Sequence, residues 1–284
     1  MKSRHTLRSA VAVAGLSALA LGACSSGPAA TTTSTPAAGG TAAAGGASGV
    51  QLVSSGKLTV CTHLPYAPFQ FPDDSGKVVG FDVDVMDLVA KKLGVTQAIV
   101  DTPFEGIKSG EDTKTGKCDI SAAAMTITDE RKKAILFSDP YFNATQALLL
   151  PDASTVASLA DLKGKKIGAQ AATTGLDYVT KNKDANGYEI VEYPDLPSQT
   201  QALQTNQIDA AVNDLPVWSD AVKKNPGKYK VGPQFDTGDV YGFGMKLGNT
   251  ALKTVVDGVL KDAKAGSAYN DIFKKWIGTD APKS

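Results

Sequence analysis

Short β-branched runs alternate with segments of helical spacing along most of the chain. Residues 58–62 form such a run and predict a strand. A turn at residues 73–76 predicts a hairpin whose returning arm is residues 77–80. Apolar positions three and four residues apart then predict a helix that Asp82 caps and Gly94 ends. The same signals predict further strands over residues 98–102 and 118–126 and, after a capping Thr128, a helix over residues 129–135.

The alternation of strands and helices repeats in the second half of the chain. Strands are predicted over residues 145–150, 166–170, 188–193 and 209–213. Helices are predicted from residue 158 and over residues 175–181, 198–206, 250–265 and 268–277, with Gly266 and Gly278 as stops. Two such stretches in one chain predict two α/β lobes.

The N-terminal segment has the pattern of an export signal. A positive start (Lys2, Arg4 and Arg8) precedes an apolar stretch over residues 10–21, which is too short to span a membrane. The string that ends in Cys24, Leu-Gly-Ala-Cys, resembles the bacterial lipobox. The resemblance implies that residues 1–23 are a lipoprotein signal peptide and that Cys24 carries a lipid; the alternative is an ordinary signal peptide with a chance cysteine. Residues 24–50 are nearly all Ser, Gly, Ala, Thr and Pro, which predicts a flexible tether.

Composition excludes several classes of protein. In 284 residues, 29 Lys and Arg balance 29 Asp and Glu, so no basic footprint for nucleic acid is present. The sequence has no run of about 18 apolar residues that would cross a membrane. Three cysteines are too few for a disulfide scaffold. We expect Cys118 to enter its strand and Cys61 to leave a parallel one, so that the two lie at opposite ends, which favours two buried free thiols over a bridge.

Catalytic motifs are missing, but polar groups stand where an α/β sheet binds ligands. His63 is the only histidine beyond the signal peptide, and no nucleophile elbow, P-loop or metal-ligand spacing occurs. Arg131, near a helix start, is suited to a carboxylate, and Asp214, at a strand end, to an ammonium. From spacing alone, Arg131 also fits a surface ion pair and Asp214 a helix cap. Tyr66 and Phe104 follow strand ends and fit either pocket walls or core.

Several strings, in the same order, resemble the amino-acid-binding proteins of ABC importers, solute-binding protein family 3. The resemblance covers residues 57–279 and is greatest to glutamine- and glutamate-binding members. It implies a periplasmic-binding-protein type II fold, with residues 51–143 and 240–284 as lobe 1, residues 144–239 as lobe 2, two crossover strands and a ligand cleft between the lobes. The strings are Pro68-Phe69-Gln70-Phe71, Gly80-Phe81-Asp82-Val83-Asp84, residues 125–133, 137–141, 170–175 and 269–278.

The same resemblance implies a role for each residue of the pocket. Arg131 matches the arginine that binds the α-carboxylate, and Asp214 the carboxylate that takes the α-ammonium. Tyr66 and Phe104 match the aromatic walls. The remaining matches are Ala124, Met125 and Thr126, which with Arg131 form the carboxylate site, and Thr173 and Thr174, which reach the carboxylate from the other lobe.

This sequence departs from the family pattern at four positions. His63 stands where binders of basic amino acids and of glutamine usually have an acidic residue, so we do not expect a cationic ligand. Gln170 stands where some members have a lysine. Ala124 and Ala172 replace common glycines, which affects how closely the backbone approaches the ligand.

These positions together predict the function. We expect a monomeric, lipid-anchored importer component that binds a polar amino acid with a neutral or acidic side chain, such as glutamine, glutamate or asparagine. Its partners would be the amino acid, the importer's membrane subunits and the membrane, without cofactor or metal. Two other roles remain open at this point: a sensor for a membrane kinase, and a dehydratase of cyclohexadienyl acids in which His63 or Glu105 is the general acid.

Overall fold

The computed structural model of the chain describes residues 49–282. The predicted signal peptide, Cys24 and nearly all of the predicted tether lie outside these residues. No helix of the described part is long and apolar enough to cross a membrane. The strands are β1 (Lys57–Thr62), β2 (Phe71–Pro72), β3 (Val78–Val79), β4 (Thr96–Asp101), β5 (Ile120–Ser121), β6 (Ile135–Phe137), β7 (Phe142–Asn143), β8 (Gln146–Pro151), β9 (Lys166–Gln170), β10 (Glu189–Tyr193), β11 (Ala210–Asp214), β12 (Tyr229–Phe235), β13 (Val240–Tyr241) and β14 (Gly244–Lys246). The helices are α1 (Phe81–Leu93), α2 (Phe104–Lys108), α3 (Glu111–Lys114), α4 (Thr174–Asn186), α5 (Leu196–Gln204), α6 (Leu215–Lys224), α7 (Thr250–Ala265) and α8 (Ala268–Ile277).

Two five-stranded sheets confirm the prediction of two α/β lobes. The first sheet has the order β4-β1-β5-β14-β6, and the second has the order β10-β9-β11-β8-β12. In each, three neighbouring strands are parallel, and the strands that return from the other lobe, β14 and β8, are antiparallel to them. The parallel strands of both sheets therefore present their carboxyl ends as a candidate binding edge.

The two lobes are joined by a short antiparallel ribbon. In it β7 pairs with β13, and Asn143 lies opposite Val240. Aromatic rings pack beneath the ribbon: the Phe69 ring lies 5.0 Å from Phe142 and 5.3 Å from Tyr241, both edge to face. The chain thus crosses twice between the sheets over an aromatic base. The lobe boundaries at residues 143/144 and 239/240 stay a prediction.

Helix α1 ends as predicted but begins differently. Gly94 is left-handed and caps its last turn. At the start, the prediction that Asp82 caps the helix is wrong, because Gly80 occupies that position and Asp82 lies in the first turn. A side chain at Gly80 would overlap the backbone of Phe69, which explains the glycine. The Asp82 carboxylate points inward, where it accepts hydrogen bonds from Ala124 N at 2.8 Å and the Tyr141 hydroxyl at 2.7 Å.

The segment after β5 is less regular than predicted. The strand expected over residues 118–126 contains only β5, because Ala124 has a φ of 46°, which no strand accommodates. The helix expected over residues 129–135 is a single 3₁₀ turn, Arg131–Lys133, which gives way to β6. Thr128 still stabilises that turn, since its hydroxyl accepts a hydrogen bond from Arg131 N at 3.1 Å. The two terminal helices, by contrast, have the predicted bounds.

Cys61 and Cys118 form a disulfide bond, so the prediction of two free thiols is wrong. Their Cα atoms lie 5.6 Å apart. The prediction placed the two cysteines at opposite ends of parallel strands. Instead the chain bends at Asp119, whose carboxylate accepts hydrogen bonds from Val53 N and Thr59 N, and Cys118 lies within bonding distance of Cys61 in β1.

Candidate functional site

A cavity lies between the two sheets, at the carboxyl ends of their parallel strands, and its empty space, counted together with the part open to solvent, is about 370 Å³. His63 follows β1, Phe104 begins α2 just after β4, Gln170 ends β9 and Asp214 ends β11. Since the carboxyl ends of parallel strands share one edge of a sheet, residues far apart in sequence meet here. The cavity is lined by His63, Tyr66, Gln70, Phe104, Ala123, Ala124, Thr126, Arg131, Gln170, Thr173, Thr174 and Asp214.

Ten of the eleven residues predicted to bind ligand line this cavity. Met125 does not: its side chain is buried in an apolar cluster with the disulfide and Ile107. Two lining residues, Gln70 and Ala123, were not predicted. Gln70 lies inside a string that carries the family resemblance, so its position in that string was the available signal.

Arg131 extends from the 3₁₀ turn into the cavity with only 6% of its surface exposed. Its guanidinium donates to the carbonyl oxygen of Thr126 at 2.8 Å and to that of Ala172 at 3.1 Å. The guanidinium also lies 5.6 Å from the centre of the Phe104 ring, a cation–π distance. Because a guanidinium has five N–H groups, three remain for a ligand.

Asp214 is 5% exposed and lies on the opposite side of the cavity, in the second lobe. Its carboxylate accepts hydrogen bonds from the Tyr241 hydroxyl at 2.5 Å and from the side-chain amide of Gln146. The Tyr66 hydroxyl lies 2.9 Å from the carboxylate and shares its one proton between Asp214 and Asn213 Oδ1, which is 2.6 Å away. A carboxylate has about four acceptor positions, so these three donors leave room for one more. Tyr66 belongs to the first lobe, and its contact with Asp214 joins the two lobes directly.

The start of helix α4 faces Arg131 from the second lobe. Thr173 caps the helix, since its hydroxyl accepts a hydrogen bond from Leu176 N. The Thr174 hydroxyl lies 3.3 Å from the Thr126 hydroxyl of the first lobe. The amino end of a helix favours an anion, so the grouping of Arg131 and Thr126 with Thr173 and Thr174 at the start of α4 is suited to binding a carboxylate.

Ala124 and Ala172, the two alanines at common glycine positions, both adopt left-handed backbone. Their φ values are 46° and 67°. An L-residue is strained in this region, and Asp82 helps to hold Ala124 there by accepting its N–H. Both alanines therefore have the backbone conformation that glycine adopts most readily.

Arg131 and Asp214 carry opposite charges that lack partners. Among the described residues, neither side chain forms an ion pair. Burial lowers the pKa of Arg131 and raises the pKa of Asp214, because a charged group is destabilised when it loses water. Buried charges without partners are costly, which indicates that a ligand completes both.

No cluster of three or more His, Cys, Asp or Glu suited to a metal occurs in residues 49–282. The cavity itself has the carboxylate Asp214, the cation Arg131 and several neutral hydrogen-bonding groups. This arrangement suits a small zwitterion, with its carboxylate at Arg131 and its ammonium at Asp214.

Comparisons with known proteins show which sequences and folds the chain resembles. The family model for bacterial extracellular solute-binding proteins, family 3, matches residues 58–279. A probable histidine-binding protein of Neisseria gonorrhoeae is 31% identical over 229 residues, which are 78% of this chain and 83% of that protein. An ABC transporter glutamine-binding protein of Bacillus subtilis is 32% identical over 211 residues, 72% of this chain and 75% of that protein. Two solved structures of an ancestral arginine-binding protein, one bound to arginine and one to glutamine, are 37% identical to this chain and superpose on it with a TM-score of 0.74. The matches cover 78% and 80% of this chain and 98% and 100% of the ancestral protein.

Proposed function

The chain belongs to the bacterial extracellular solute-binding proteins of family 3, and from this membership we propose that it captures a free polar amino acid and delivers it to an ABC importer. The fold is the two-lobed periplasmic-binding-protein type II fold of that family. We further propose a neutral or acidic ligand side chain, such as that of glutamine, glutamate or asparagine.

One observation supports this proposal most directly: the buried charges of Arg131 and Asp214 face one cavity from different lobes and have no ion-pair partner among the described residues. An α-amino acid carries the two complementary charges on an ammonium group and a carboxylate group that are bonded to the same carbon atom. The α-carboxylate would accept from the free N–H groups of Arg131 and from the start of α4. The α-ammonium would take the remaining acceptor position of Asp214.

The same arrangement provides a mechanism of capture. A zwitterion that touches both lobes binds the closed form more tightly than the open form, so it shifts the hinge equilibrium toward closure. The β7–β13 ribbon, the crossing between the lobes, is the segment about which they would close. The importer's membrane subunits would then recognise the closed protein, without any covalent step.

The charge of the lining argues against a cationic side chain. Within residues 49–282, Asp214 is the only carboxylate that lines the cavity, and the α-ammonium would neutralise it. His63 stands at the position where relatives with basic ligands usually have an acid. The names of the similar proteins include histidine, arginine and glutamine, and calorimetry distinguishes among these ligands.

Calorimetry on the purified full-length protein, with the common amino acids added one at a time, tests the proposal. We expect tight binding of one or a few polar amino acids with 1:1 stoichiometry. If no amino acid gives a heat of binding after the protein has been refolded to remove any bound ligand, the α-amino acid site is refuted.

The membrane attachment is proposed from the sequence around Cys24, outside the described residues. Cells that express the protein and receive labelled palmitate should label it, and Cys24→Ala should abolish the label and release the protein from the membrane fraction. Labelling that persists in the variant would contradict lipidation at Cys24.

An importer role and a sensor role require the same cavity, so uptake must separate them. We expect deletion of the gene to abolish uptake of the labelled ligand by whole cells. Unchanged uptake with an altered transcriptional response would favour the sensor. A dehydratase has weaker support, because the Glu105 side chain is 68% exposed, lies near Lys108 and does not line the cavity. Loss of prephenate on incubation with the protein would revive that role.

A further inference from the structure

Three side chains that line the cavity carry polar atoms without partners. His63 Nε2, Gln70 Oε1 and Gln170 Oε1 are buried and make no hydrogen bond within the described residues. Gln70 and Gln170 are only 1% and 2% exposed. A buried polar atom without a partner is destabilising, so these atoms indicate what the ligand's side chain has to supply.

The hydrogen-bonding polarity of His63 follows from its neighbour. Its Nδ1 lies 3.0 Å from the carbonyl oxygen of Thr102. A carbonyl oxygen only accepts hydrogen bonds, so Nδ1 carries the proton. In the neutral ring Nε2 is then a lone pair, and His63 presents a hydrogen-bond acceptor to the cavity.

The two glutamines differ in how far their orientation is determined. The side-chain amide of Gln70 donates weakly to the His63 carbonyl oxygen at 3.5 Å, which leaves Oε1 as its free acceptor. Gln70 also borders a second, smaller void, so we do not assign its oxygen to the ligand. Gln170 makes no side-chain hydrogen bond to the described residues, and its amide can turn either its oxygen or its nitrogen toward a ligand.

We infer that His63 and Gln170 in this cavity select a carboxamide, the side chain of glutamine or asparagine, over the isosteric carboxylate and over cationic side chains. This inference rests on the proposed function. A carboxamide NH₂ donates to His63 Nε2, and its carbonyl oxygen accepts from the adaptable Gln170 amide. A carboxylate has only acceptors and would meet the lone pair of Nε2. A cation would have no counter-ion beside it, since Asp214 is occupied by the α-ammonium.

Paired calorimetric titrations of the full-length protein test this inference. We expect glutamine to bind at least tenfold more tightly than glutamate, or asparagine at least tenfold more tightly than aspartate, because the acid leaves a buried acceptor unpaired. Equal or tighter binding of the acid, or tighter binding of arginine, histidine or cystine than of either amide, would overturn it. If no amino acid binds at all, the proposed function fails instead.

A variant separates the role of His63 from general damage to the cavity. His63→Phe keeps an aromatic ring beside Phe104 but removes the Nε2 acceptor. We expect the ratio of amide to acid affinity to fall by at least tenfold, whatever happens to the absolute affinities. An unchanged ratio of amide to acid affinity would show that His63 Nε2 does not discriminate between ligand side chains.

Nitrogen NMR of the histidine ring gives a readout that does not depend on a variant's folding. The chain has two histidines, and His5→Gln identifies the signals of His63. With the ring neutral, we expect Nδ1 to be the protonated nitrogen and the Nε2 signal to move when glutamine is added. A ring protonated at Nε2 in the ligand-free protein would overturn the assigned polarity.

Discussion

Arg131 offers the sharpest test of the site, because its contribution to binding can be worked out from its hydrogen bonds. Two of its five N–H groups are held by the carbonyl oxygens of Thr126 and Ala172, and three are free. A carboxylate would take two parallel charge-assisted bonds, each worth about 1.5–3 kcal/mol. Arg131→Met should therefore weaken binding by about 3–6 kcal/mol, or roughly 10²- to 10⁴-fold. Arg131→Lys keeps the positive charge but cannot donate two parallel hydrogen bonds to a carboxylate, so it should lose about half of that binding free energy.

The assay is calorimetry with the ligand found for the wild type, together with thermal unfolding with and without that ligand. Lys132→Met is the matched control, since Lys132 is the exposed neighbour and pairs only with Asp129 on the surface. Arg131→Met leaves two carbonyl oxygens unpaired but also removes a buried charge, so the changes in folding free energy oppose each other. We expect the ligand-free variant to unfold cooperatively. Binding within tenfold of wild type in Arg131→Met would refute the carboxylate site.

Four further predictions follow from other parts of the structure. Asp214→Asn should weaken binding of the amino acid at least a hundredfold, because the amino acid presents an ammonium to this side chain. The variant should weaken binding of the des-amino analogue far less, and equal losses for the two ligands in calorimetry would contradict this. Replacing Cys61 and Cys118 by alanine should lower the free energy of unfolding, measured with urea, by up to about 4 kcal/mol, because the disulfide closes a loop with a sequence separation of 57. In the unreduced wild type, both cysteines should resist alkylation. Burial raises the pKa of Asp82 to about 7, so the folded state favours the protonated carboxyl, and the stability this contributes is present at acid pH and lost as pH rises through about 7. Compared with Asp82→Asn, the wild type should lose about 2–3 kcal/mol more between about pH 5 and about pH 8, and parallel urea curves across that range would refute this. Ala172→Gly should stabilise the protein by about 0.5–1 kcal/mol in the same assay, since φ is 67° there, and a destabilised variant would show that no strain is relieved.

Much of the cavity could be predicted because its residues follow the ends of strands. His63, Gln170 and Asp214 occupy such positions, and each strand is marked by a local β-branched or apolar run. Local strings also carry the loop residues Thr126 and Arg131. Since a parallel sheet brings these ends together, knowing the strands and the fold is enough to place them at one edge.

Features that depend on contacts distant in sequence could not be predicted in this way. The left-handed backbone at Ala124 is stabilised by Asp82, 42 residues away, so the run from Cys118 to Thr126 is a strand by composition but not in the structure. The disulfide depends on a bend that Asp119 stabilises through bonds to residues 60 and 66 positions earlier. No local pattern contains these partners.

In the mechanism proposed above, the contacts between the lobes make ligand binding and closure depend on each other. Arg131, on the first lobe, already donates to the Ala172 carbonyl oxygen of the second, and Tyr66 donates across the cleft to Asp214. These bonds lower the free energy of the closed form even without ligand. Closure also removes both charges from water, and that cost is offset only when a zwitterion pairs with them. A molecule with one of the two charges would leave the other buried and unpaired. Ligands that lack either the carboxylate or the ammonium should therefore fail to close the lobes, even where their side chains fit the cavity.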